Sequence, residues 1–136
     1  MFLLDTNIVL EPLKQKPNQA ILEKLNKHSG ECFISAVIWH ELWFGCLRLP
    51  KSKRKDAIQS YLENVIKPTM EILLYSSVVA EIHAVERVRL TALGLPPTFV
   101  DSQIASTAIH HNLKLVTLNL KDFEFFNNLE VTDWRF

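Results

Sequence analysis

Phe2-Leu3-Leu4-Asp5-Thr6-Asn7-Ile8 opens the chain with three apolar residues and stops them with an aspartate. A short apolar run without alternation reads as a strand buried on both faces. Asp5, Thr6 and Asn7 then supply helix-start side chains. A buried strand that passes at once into a helix is the beginning of a βαβ unit.

Working outward, the rest of the chain repeats that pattern. Pro12 and Pro17 interrupt the segment after Ile8. From Asn18, the apolar residues Ile21, Leu22 and Leu25 recur at helical spacing until Gly30. Cys32-Phe33-Ile34 is a second strand, and Ser35 caps a helix reaching Leu47. A further helix carries Ala57, Ile58, Tyr61, Leu62, Val65 and Ile66 on one face and ends at Pro68. Glu71 to Tyr75 reads as strand. Ser76 or Ser77 caps a long helix that stops at Gly94, a C′ glycine. Pro96 and Pro97 connect to a helix from Phe99 to His111, with Asn112 as a left-handed stop. Leu113 to Leu118 is a strand, Phe123 to Leu129 an irregular or helical turn, and Val131 an edge strand.

Strand-like runs that alternate with amphipathic helices predict an α/β domain. Its mostly parallel central sheet of four to five strands is flanked by helices on both faces. No repeat, low-complexity tract or linker divides residues 1–136, so one domain is expected. The 48% apolar content supports a globular core. Fifteen Lys and Arg balance fifteen Asp and Glu, which argues against a protein that coats phosphates by bulk charge. Cys32 and Cys46 lie apart in apolar stretches and read as buried, reduced thiols. With no signal peptide and no run long enough to span a bilayer, the expectation is a cytoplasmic protein with no membrane partner.

Ligands of open parallel sheets bind at the carboxyl ends of the strands. Asp5 follows the first strand. Glu41 lies on the helix after the second. Asn119 and Asp122 follow the strand 113–118, and Asp101 opens the helix before it. Glu41 lies four residues from Val37 and Gly45, and Asp101 three, four and seven residues before Ile104, Ala105 and Ala108, so both share apolar helix faces. Buried carboxylates need a proton, a hydrogen-bond donor or a cation. A hard divalent ion, Mg²⁺ or Mn²⁺, suits four carboxylates and can activate water. Thr6, Asn7, Thr117 and Asn119 are short polar neighbours able to orient carboxylates or water. Asp122 is expected to act through water or at a second metal. Asp56 and Asp133 read as a solvated helix position and a turn.

At these residues the chain resembles the PIN-domain ribonucleases, most closely the VapC and FitB-type toxins of toxin–antitoxin pairs. The resemblance rests on Leu3-Leu4-Asp5-Thr6-Asn7-Ile8, on Ser35-Ala36-Val37 with Glu41-Leu42 and Gly45, and on Asp101 with Ile104-Ala105 and Thr107-Ala108. Val116-Thr117, Asn119 and Asp122-Phe123 complete it, with a similar closing stretch from Leu129 to Trp134. It implies a PIN-like, three-layer α/β/α fold and an acidic metal site of Asp5, Glu41, Asp101 and Asp122. It further implies an RNA endonuclease, with tRNA as a family guess, that forms a homodimer. A cognate antitoxin would inhibit it, and DNA would be met only through that antitoxin. Two departures stand out: Leu118 occupies a position where the family often has Arg, and Trp39-His40 and Trp43-Phe44 make the surroundings of Glu41 more aromatic than usual.

His40-Glu41 fails the H-E-x-x-H pattern because residue 44 is Phe. Adjacent His110 and His111 point about 100° apart on a helix. An aspartyl-nucleophile phosphohydrolase would use Asp5, but such enzymes usually need a second Asp where Asn7 stands. A non-catalytic PIN-like interaction module is the third option, although all four acidic positions are retained. Arg48, Lys51, Lys53, Arg54 and Lys55 are candidate RNA-phosphate contacts. Arg87 and Arg89 could also approach the substrate or neutralise the carboxylates. Trp39, Trp43 and Phe44 could stack bases or fill a partner groove, with core packing expected for at least one and more readily two of them.

Overall fold

The computed structural model describes residues 1–136. Its centre is a five-stranded sheet with every pairing parallel: β1 (Phe2–Leu4), β2 (Cys32–Ser35), β3 (Glu71–Leu73), β4 (Lys114–Val116) and β5 (Val131–Thr132). The spatial order is β3-β2-β1-β4-β5. Leu3 and Leu4 of the central strand are fully buried, as a strand covered on both faces must be. The chain first builds outward through β2 and β3. It then returns to add β4 and β5 on the other side of β1. That reversal opens a crevice between the carboxyl ends of β1 and β4, the usual ligand site of such sheets.

The helices are α1 (Thr6–Val9), α2 (Gln19–Lys27), α3 (Ala36–Leu47), α4 (Lys53–Tyr61), α5 (Lys67–Thr69), α6 (Ser77–Ala92) and α7 (Phe99–His111). Their starts follow the expected cap chemistry. Asp5, Asn18, Ser35, Ser52, Ser76 and Thr98 each accept a hydrogen bond from a first-turn amide. Asn112 ends α7 in the left-handed conformation, and Gly94 follows the α6 cap at φ 73°.

Three local expectations need correction. The helix after Ser52 does not end at Pro68. It passes through a π turn (Leu62–Ile66) and stays helical to Thr69. Along it Leu62 and Ile66 are buried and Ile58 packs against the core, whereas Val65 and Ala57 are exposed. The strand from Glu71 stops at Leu73, because Leu74 is exposed and Tyr75 turns to hydrogen-bond His83 (2.7 Å). The strand 113–118 is paired only over Lys114–Val116. Trp39 and Trp43 both pack against the core, edge to face with each other at 5.8 Å. Cys32 and Cys46 are buried free thiols, and burial pushes Cys32 up to about 11. No helix is long and apolar enough to cross a membrane.

Candidate functional site

Asp5 leaves β1 at the crevice and caps α1. Its Oδ1 accepts from the Thr6 amide (2.8 Å), and its Oδ2 accepts from the Thr117 hydroxyl (2.7 Å). Thr117 is fully buried just beyond β4. Its oxygen also accepts from the Asn119 amide (3.1 Å). The Asp5 amide itself donates to the Val116 carbonyl (2.9 Å). The bond from Thr117 thus spans the crevice and fixes the Asp5 carboxylate between two strands.

Glu41 comes in from α3, whose apolar seam is Ile38, Leu42 and Cys46. It stands at the margin of that seam and is half-buried. Its Oε1 is buried without a hydrogen-bond partner, as is the Thr6 hydroxyl. Burial pushes the Glu41 carboxyl above the ordinary carboxylate range; the charges of Asp5 and Asp101 push the same way, and His40 opposes them. Asp101 lies in the first turn of α7, likewise half-buried at the edge of its inward face. Burial raises its carboxyl, the Thr98 hydroxyl pulls it back, and Asp122 and Asp5 push it up again. Asp122 sits at the end of a 3₁₀ turn (Leu120–Asp122) and is exposed.

Asp5 and Asp101 thus act on Glu41, and Asp122 and Asp5 act on Asp101, which brings the four carboxylates to the mouth of one crevice. No three of them, with or without a His or Cys, stand in closed ligating geometry. The donor set is nonetheless all oxygen and anionic, and Glu41 Oε1 is an orphaned buried acceptor. Those features fit a hard divalent cation. Of the four, Asp5 is held by hydrogen bonds at both carboxylate oxygens.

The remaining expected residues divide. Asn7 is exposed and lines a groove with Leu10 and Arg54, and Asn119 touches the site through its backbone. Arg48 and Arg54 line a second groove that contains Thr6 and Glu41. Lys55 caps the end of α3 through the Leu47 carbonyl (3.2 Å), while Lys51 and Lys53 are exposed outside both grooves. Arg87 lies 5.4 Å over the Phe99 ring. Arg89 is engaged elsewhere: it pairs with buried Glu86 (2.7 Å) and donates to the Phe125 carbonyl (2.6 Å). The residue missed in the sequence is Thr98, which caps α7 and tempers Asp101. Its signal was a Thr three residues before an acid at a helix start.

The PIN domain family profile matches residues 2–126, from β1 to beyond Asp122, and the chain belongs to that family. Among its relatives, Toxin FitB of Neisseria gonorrhoeae is 33% identical over 126 residues, covering 90% of this chain and 91% of FitB. The tRNA(fMet)-specific endonuclease VapC of Shigella flexneri is 31% identical and covers 98% of this chain and 97% of its own. The solved FitAcB from Neisseria gonorrhoeae superposes with a TM-score of 0.90 at 32% identity, covering 98% of both chains.

Proposed function

We propose that the chain is a Mg²⁺- or Mn²⁺-dependent endoribonuclease, the toxin of a toxin–antitoxin pair. The observation that carries this reading is the convergence of Asp5, Glu41, Asp101 and Asp122 on one crevice mouth, with Asp5 pinned by Thr117. The relatives named as a toxin and as a tRNA(fMet)-specific endonuclease match this chain over at least nine-tenths of its length. They support RNA, with tRNA included, as the substrate class.

In that reading Asp5, Glu41, Asp101 and Asp122 hold the cation, Asp122 through water or at a second ion. When bound, the metal supplies charge stabilisation at the phosphate and a more acidic water. The protein's own part is positioning and proton handling. Asp5 keeps one orientation through Thr6 and Thr117. One of the half-buried carboxylates beside the crevice, Glu41 or Asp101, takes the proton of the attacking water. Water adds its oxygen to phosphorus as the bond to the leaving sugar oxygen breaks, and the proton taken by that carboxylate passes to the leaving oxygen. An antitoxin partner and a homodimer belong to the same reading. Exposed Val78, Val85 and Val88 on α6 are apolar surface available to such a partner.

Purified protein, free of any antitoxin, is expected to cut RNA only with Mg²⁺ or Mn²⁺, and Asp5→Asn is expected to abolish cutting. Sequencing the RNA ends after brief induction, beside the Asp5→Asn control, identifies the bond. Failure to cut any RNA class with either metal overturns the proposal.

A further inference from the structure

His83 is a buried titratable side chain that the proposed chemistry does not use. It lies on α6 with 3% of its surface exposed. Its Nδ1 shares a hydrogen bond with the Tyr75 hydroxyl (2.7 Å), and its Nε2 is buried with no partner. Burial, reinforced by the charge of Arg87, holds the imidazole below its ordinary range. An orphaned nitrogen in the interior costs stability, so bulk packing alone does not account for an imidazole here. Tyr75 stands two residues past β3, and its hydroxyl ties His83 back to the carboxyl end of the sheet.

Across the helix pair the His83 ring meets Phe99, the first residue of α7, at 4.7 Å between centroids and 68° between planes. Arg87 lies one turn further along α6 on the same face, and its guanidinium sits 5.4 Å from the Phe99 centroid. Phe99 is nonetheless 52% exposed. The buried residues of α7 begin only at Ser102, so the turn from Phe99 to Asp101 stands outside the core. Thr98 caps that turn through the Asp101 amide (3.1 Å). A cap sets the internal geometry of a turn, not its place against the rest of the molecule. Pro96 and Pro97 before it have no amide hydrogen to anchor the connector. The grip of α6 on Phe99 therefore bears on where Asp101 stands relative to Asp122 and Asp5, whose charges it feels.

We propose that Tyr75, His83 and Arg87 form a clamp on Phe99 that positions Asp101 for metal binding. The proposal rests on the metal-dependent endoribonuclease reading and deepens it. All three are positioning residues. They act through the start of α7, and the imidazole is the part that joins the sheet edge, through Tyr75, to the helix that carries the carboxylate.

The test titrates metal-free protein with Mn²⁺ and follows the ion by electron paramagnetic resonance. His83→Leu is expected to weaken Mn²⁺ binding about tenfold, as for other residues that orient a metal ligand. Tyr75→Phe, which removes one hydroxyl, acts in the same direction and by less. His83→Phe restores an aromatic contact with Phe99 and recovers part of the loss. The cycle with Asp101→Asn separates positioning from general packing. A clamp that works through Asp101 adds nothing once that carboxylate is gone, so the double variant binds Mn²⁺ as Asp101→Asn alone does. A second readout needs no metal. The amides of Asp101 and Ser102, which hydrogen-bond to Thr98, are expected to exchange faster in His83→Leu, while those from Ile104 to Ala108 hold. Melting temperatures verify folding, and Tyr75→Phe carries the same measurements should His83→Leu not fold. Unchanged Mn²⁺ affinity, additive losses in the cycle or unchanged exchange at those two amides each overturn the clamp and leave the metal site standing. Mn²⁺ binding that depends on neither Asp5 nor Asp101 overturns the metal reading, and the clamp with it.

Discussion

Asp5 accepts at both carboxylate oxygens, from Thr6 and from Thr117, so its orientation is set before a ligand arrives. Loss of the Thr117 hydroxyl is expected to lower Mn²⁺ affinity by about 10–100-fold. Titration of Thr117→Val with Mn²⁺, followed by electron paramagnetic resonance, measures it; an unchanged affinity removes Thr117 from the site. Glu41 gives a pH prediction. Its folded-state carboxyl is raised by burial and by Asp5 and Asp101. The associated stability is full below the ordinary carboxylate range and is lost as pH rises through the raised value. Metal-free Glu41→Gln is therefore expected to melt above the parent at neutral pH, by about 2–5 °C after solvent screening is allowed for. The gap closes on acidification, as the parent becomes protonated. In the same variant the stabilisation conferred by Mn²⁺ shrinks, so one substitution moves the two states in opposite directions.

At the scale of elements, α6 holds the segment that follows Asp122. Glu86 is only 7% exposed, pairs with Arg89 and accepts from the Asn127 amide (3.0 Å), and Arg89 reaches the Phe125 carbonyl. Glu86→Ala is expected to cost about 2–3 kcal/mol through lost charge-assisted hydrogen bonds. Amide exchange over residues 123–128 should rise before the core opens, and uniform loss across the chain would contradict a local tether. Element starts were legible because caps act within one turn: Ser35 and Ser76 need only their own next residues. The π turn at Leu62–Ile66 was not legible, because the apolar residues 57, 58, 61, 62, 65 and 66 fit an ordinary helix equally well.

At the scale of the molecule, metal binding and folding are linked. Saturation at a hundred times the dissociation constant stabilises the folded state by about 2.7 kcal/mol. Mn²⁺ is expected to raise the melting temperature of the parent and to leave Asp5→Asn nearly unmoved; an equal rise in both would place the ion elsewhere. What the sequence determined by itself was the class of fold and most helix starts, which depend on short-range periodicity and capping; it also nominated the acidic residues of the candidate site. The tertiary structure alone decided which distant side chains meet. Thr117 reaches Asp5 because β1 and β4 are neighbours, 112 residues apart in the chain. Arg89, which read as a free cation, is spent on Glu86 and Phe125, whereas Arg48 and Arg54 line the groove from Glu41. Strand order and helix docking set those encounters, and both come from burying the whole apolar surface at once, which no local stretch of sequence encodes.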